Sequence, residues 1–363
     1  MIQIILQKKL VPYFINNEAN KKTRNDFIDI MKALGIVSVV IGHSFDWIIP
    51  MTGISAITFV YTYHLMIFFV VAGYCPAIEK RNESAILGHQ FIKITLTFGV
   101  YNAIFTMLHN HFVKIGLIND VIFDTRTLFA CMIRGFFWDP SEKFLAAFRF
   151  LKFYFFTLIL WLIFVKCIRQ INSHRCQMIC KIIYCLICYI IGLVCIDKSL
   201  VFHNYGERVF LAIPVLFIGE IAYRKKEYIK KHMHWYMAIT AVAIIFIILK
   251  ITGKSIEIAA GQIISPVLFY PITFLGIGLC TYISYIIANL NYSNLIRRGM
   301  SCVGRNSVHI MALHFWGIKM TDFVYSCFHQ IKNTDKITQW PHSSYGLNLS
   351  YLIYSSVWSF QQL

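Results

Sequence analysis

Lys32 and His43 stand at either end of "KALGIVSVVIGHS", a run that otherwise has the composition of bilayer filling. A cation and an imidazole inside such a run are costly, so each must reach an interface or face something polar in the protein interior. On a helix turning about 100° per residue, eleven positions return to nearly the same face about 16 Å further along. Asp29, three residues before Lys32, joins that stripe as an ion-pair partner. Two readings stay open from position alone. In one, Lys32 snorkels to the headgroups and His43 bonds a neighbour near the interface; in the other, the stripe faces the interior and works there.

Two further stretches carry candidate groups. "TYHLMIFFVVAGY", 62–74, begins with His64 and ends with the small pair Ala72–Gly73, which would let another helix approach closely. "VGRNSVHIMALH", 303–314, sets a polar group at the head of an apolar run, with Ser307 and His314 seven residues apart on one helix face. By themselves Asn306 and Ser307 read as a helix N-cap. His109 and His111 are a weak metal pair, because positions i and i+2 do not share a face, and no metal is expected.

The elements that must hold these groups are membrane helices. Hydrophobic residues make up 58% of the chain and the mean hydropathy is +0.61, above the roughly half-apolar composition of a soluble domain. Spans are expected near 27–46, 56–77, 86–107, 144–166, 180–196, 208–223, 235–251, 264–289, 304–324 and 348–363. The stretch 121–143 is interrupted by Asp124, Arg126 and Arg134 and reads as an interfacial helix on the outer face. The expected architecture is therefore an all-α, polytopic transmembrane bundle of about ten spans, with residues 1–26 as a cytoplasmic segment and 27–363 as one domain. The first residues, "MIQIILQKKL", have too short an apolar part for a cleaved leader.

The formal charge of +17 is scattered through loops rather than gathered into a stripe, which argues for membrane orientation and against nucleic acid. With the first segment inside, the inner segments carry nineteen Lys and Arg and the outer loops ten, so both termini are expected in the cytoplasm. Six of the eleven cysteines cluster between 167 and 195 without a paired CxxC framework, and read as buried thiols.

Three segments in order, "RNDFIDIMKALGIVSVVIGHS", "YHLMIFFVVAGY" and "VGRNSVHIMALH", are similar to those of the integral-membrane acyltransferase family 3, which contains bacterial sugar O-acetyltransferases. The first is the most specific. The chain departs from the family pattern in carrying Lys32 where arginine is more frequent and Ala72 where serine often precedes the glycine. It also lacks the Trp-Phe-Leu usual near 148–155 and an outer Arg-x-x-Arg pair.

The resemblance implies transfer of an acetyl group from acetyl-CoA to a sugar hydroxyl of a surface polysaccharide or its lipid-linked precursor, in the bacterial cytoplasmic membrane. It implies His43 as general base, with His64 orienting the acceptor or stabilising the oxyanion. Lys32, assisted by Arg24 or Arg305, would attract the coenzyme's phosphates. Asn306 and Ser307 would contact the donor, and Asp29, Gly73 and His314 would orient the site. A transporter or flippase for a glycan precursor is the competing class, since it too would show many spans with a few buried polar groups.

Overall fold

The computed structural model describes residues 25–44, 48–50, 52–75, 83–198, 208–258 and 262–328, and these fold into an all-α bundle. The helices are α1 Asp26–His43, α2 Ala56–Tyr61, α3 Met66–Tyr74, α4 Glu83–Lys114 and α5 Thr125–Phe136. A 3-10 turn, Lys143–Phe148, leads into α6 Arg149–Ile168 and α7 His174–Asp197. There follow α8 Arg208–Arg224, α9 Lys226–His232, α10 Trp235–Thr252, α11 Phe269–Ala288, α12 Leu295–Arg305 and α13 Ser307–Phe328.

Among the described residues, six stretches are long and apolar enough to cross a membrane: Ala56–Tyr74, Ala85–Lys114, Lys143–Ile168, His174–Asp197, Trp235–Thr252 and Phe269–Ala288. Three more expected spans are helical but fall short of that measure. Helix α1 carries Asp26, Asp29 and Lys32; α8 has 17 residues; α13 carries two histidines, Lys319 and Asp322. The expected tenth span, 348–363, lies outside the described residues, as does Arg24.

Burial separates inner helices from peripheral ones. The stretch Ala56–Tyr74 is 78% buried, whereas α10 is 17% and α7 28% buried, so the last two present their Ile-rich faces outward, as helices in contact with lipid do. Helix α1 lies inside, packed against α2, α3, α11, α12 and α13. Its start is fixed locally: the Asn25 side chain accepts from the Phe27 N–H at 3.1 Å, with Asp26 and Asp29 in the positively polarised first turn.

Glycine sets the closest crossings. A Cβ on Gly73 would come within 2.0 Å of the Leu216 carbonyl of α8, and one on Gly219 within 2.2 Å of the Val70 carbonyl of α3. Two helices thus touch backbone to backbone, which van der Waals packing in a lipid medium rewards. The α1–α12 crossing is tighter still, with the Gly304 position 1.7 Å from the Asp29 carbonyl once a Cβ is added.

One expectation changes. The second span is two helices, α2 and α3, separated by a turn at residues 62–65 that contains no Gly or Pro. Neighbours hold that turn: the Tyr63 hydroxyl accepts from Ser38 of α1 at 3.1 Å, and its ring lies against Gly276 of α11. The segment expected as an interfacial helix is helical, as α5, and runs antiparallel along α4. Gly135 and Phe136 meet Asn102 and Gly99, and the Trp138 indole donates to Thr95 at 2.9 Å. The chain then returns, with Ser141 at Asn102 and Glu142 at His109.

Candidate functional site

At its far end, α1 presents His43 to α13. The His43 and His314 rings lie 5.5 Å apart between centroids, and His43 is 4.8 Å from Phe315. His314 is buried, and its Nδ1 sits 2.9 Å from the Met311 carbonyl. A carbonyl only accepts, so Nδ1 carries the proton and Nε2 of the neutral ring holds the lone pair. That Nε2 is sealed from solvent and has no hydrogen-bond partner among the described residues.

Tyr61 ties the second histidine to the same end. Its hydroxyl donates to the carbonyl of Gly42 at 3.0 Å, and its ring stacks on His64 at 4.5 Å. Gly42 is required there, because a Cβ would fall 2.4 Å from the tyrosine ring. His64 occupies the turn between α2 and α3, with its Nδ1 buried and without a hydrogen-bond partner among the described residues. Tyr61 thus links His64 to the end of α1 that carries His43 and meets His314 of α13.

At the near end of α1, Lys32 Nζ lies 2.7 Å from Asp29 Oδ1, with Asp29 almost fully buried and Lys32 25% exposed. The Gly304 contact brings the start of α13 to the level of this pair. Ser307 is buried there, whereas Arg305 and Asn306 are exposed. Asn306 does not cap α13 with its side chain: its Nδ2 donates back to the Cys302 carbonyl at 2.9 Å. Cys75, at the end of α3, lies close enough to this pair for both of its charges to act on the thiol.

The stripe joining Lys32 to His43 is closed. Ile36 and Val39, on the same face, are 0% and 3% exposed. Ligand passage along α1 requires these side chains to part from their neighbours.

Several buried charges escaped the sequence reading. Lys319 and Asp322 are both buried, 3.9 Å apart, with Lys319 one helical turn beyond Phe315 and so just past His43. Lys181 of α7 meets Glu220 of α8, and Arg224 donates to the same carboxylate oxygen at 2.9 Å. Charges inside apolar runs were the available signal. Where the chain folds back along α4, His109 Nδ1 is 3.1 Å from Glu142 and its Nε2 donates to the Val121 carbonyl at 3.0 Å, while His111 is exposed on another face.

Residues 25–354 match the family described as "Acyltransferase domain", and the chain belongs to acyltransferase family 3: it is an integral-membrane acyltransferase. No curated protein and no solved structure matches it.

Proposed function

We propose that this acyltransferase moves an acetyl group from acetyl-CoA to a hydroxyl of a bacterial surface polysaccharide or its lipid-linked precursor. In this reading it resides in the cytoplasmic membrane with both termini inside. The observation that carries it is the meeting of partly buried His43 with buried His314 at the opposite end of α1 from Lys32. A neutral sugar hydroxyl is a poor nucleophile and needs a proton acceptor as its oxygen attacks the acyl carbon. His43 fills that role: the new ester C–O bond forms, the C–S bond breaks, and the proton passes through His43 to the departing thiolate. His314, held in one tautomer by the Met311 carbonyl, orients His43, and His64 faces the acceptor side.

The Asp29–Lys32 pair marks the donor's entrance. Since Asp29 neutralises much of the lysine's charge, Lys32 alone is a modest phosphate anchor; Arg305, Asn306 and Ser307 lie at the same level, and Arg24 is assigned with them from the motif.

The test uses His43→Ala and Lys32→Ala in a strain that depends on this protein, measuring ester-linked acetyl on the surface polysaccharide together with the amount of polymer exported. We expect a loss of about 10²–10⁴-fold in transfer rate for His43→Ala with export unchanged. The broken second span also suits a transporter. Loss of export with acetylation intact supports that reading and refutes ours.

A further inference from the structure

The donor's entrance has a cavity of about 550 Å³ beside it, walled by the near ends of α1, α3, α8, α9, α11 and α12. That volume falls within the range of small-molecule sites. It does not include Lys32, but it reaches Met31, the preceding residue, and Tyr74, the residue before Cys75.

Its charges are not equivalent. Arg297 is bound by Asp26, at 2.8 and 2.9 Å from two of its nitrogens, and donates to the Leu290 carbonyl at 2.7 Å. That pair is spent on holding α12 to α1. Lys226 and Lys230 line the same cavity from one face of α9, four residues apart. Neither forms an ion pair or a hydrogen bond with a described residue. Each ammonium instead lies over a tyrosine ring, Lys226 5.0 Å from Tyr223 and Lys230 5.9 Å from Tyr285. Such contacts position a cation without neutralising it. Glu227 also faces the cavity, so two lysines stand against one free carboxylate, with Asp26 already engaged.

We propose that this cavity seats the phosphorylated nucleotide end of the acyl donor. The proposal rests on the acetyl-CoA reading above and adds its binding residues: Lys226 and Lys230 for the phosphates, Tyr74 and Tyr285 as the flat apolar walls for the base. From Met31 to His43 the helix rises about 18 Å, the distance an extended pantetheine arm has to cover. Lys32 then lies along the arm rather than at the phosphates, consistent with its engagement by Asp29. An anionic lipid headgroup offers the same phosphate chemistry, so the test must separate the two sources.

The full chain is reconstituted in phosphatidylcholine nanodiscs and titrated with free coenzyme A, and with ADP as competitor. For Lys226→Gln/Lys230→Gln we expect affinity for coenzyme A to fall by at least about tenfold, with ADP competition lost and the donor KM raised while kcat is preserved. Lys226→Arg/Lys230→Arg restores binding. A control, Lys166→Gln/Arg175→Gln, removes two exposed charges at the end of α6 and the start of α7 and leaves affinity unchanged. Melting temperatures verify that each variant is folded. The titration is repeated with phosphatidylglycerol in the disc.

If coenzyme A binds all variants alike, and phosphatidylglycerol stabilises the wild type but not Lys226→Gln/Lys230→Gln, the cavity is a lipid site and the proposal is overturned. An equal loss in the control also overturns it, since the effect is then long-range attraction. Wild-type transfer with unchanged donor KM in the variant sinks the subsite alone. A wild type that neither binds coenzyme A nor uses acetyl-CoA sinks the donor assignment beneath it.

Discussion

An imidazole near neutrality can take a proton and return it, but only if its tautomer and orientation suit the substrate. His314 has the tautomer imposed by its own backbone, and His43 has His314 and Phe315 against its ring. If His314 positions His43, then His314→Ala lowers kcat about tenfold or more while donor KM moves little, and the pH–rate profile shifts because the neighbouring ring sets His43's environment. A merely structural role for His314 would lower the melting temperature and leave that profile in place. Lys32 and His43 were legible because charged groups stand out in an apolar run. Their separation along one face follows from helix geometry alone. The meeting of His43 with His314, 271 positions later in the chain, was not legible, because only the packing of α13 on α1 creates it.

At the scale of elements, the bundle depends on backbone contacts that only glycine permits. Gly304→Ala places a methyl against the Asp29 carbonyl, where no side chain can yield, and should cost about 1–3 kcal/mol. Because that contact also sets the level of the Asp29–Lys32 pair, donor KM should rise in the same variant, measured alongside thermal unfolding. An unchanged melting point would show that α12 is not locked to α1 in this way. The segment folded along α4 gives a second, independent test. Burial pushes the Glu142 carboxyl above the ordinary carboxylate range, with the His109 hydrogen bond opposing that shift. A raised carboxyl favours the protonated folded state, so its contribution is present below the ordinary value and is lost as pH rises through the raised one. Glu142→Gln should therefore be more stable than the wild type at neutral and higher pH, with the difference vanishing in acid; a constant difference across pH would contradict the assignment. Hydropathy anticipated most helices, but not the break between α2 and α3. That turn lacks the usual breakers and is held from outside by Ser38 and Gly276.

The whole molecule sets the Asp29–Lys32 pair and the His43–His314 contact at opposite ends of one inner helix, with Ile36 and Val39 closing the line between them. The all-α class and the family were readable from composition and three motifs. The cavity beside the near end of α1 was not, because its walls come from six helix ends far apart in sequence. An acyl donor entering at one end and a proton acceptor waiting at the other is the central claim. Its most direct test is release of free coenzyme A thiol by the purified protein in nanodiscs, supplied with acetyl-CoA and glycan from a strain lacking the acetyl ester. The account predicts that thiol release requires the glycan, yields acetylated glycan in equal amount, and disappears in a folded His43→Ala variant. Equal release and acetylation by the His43→Ala variant would contradict it.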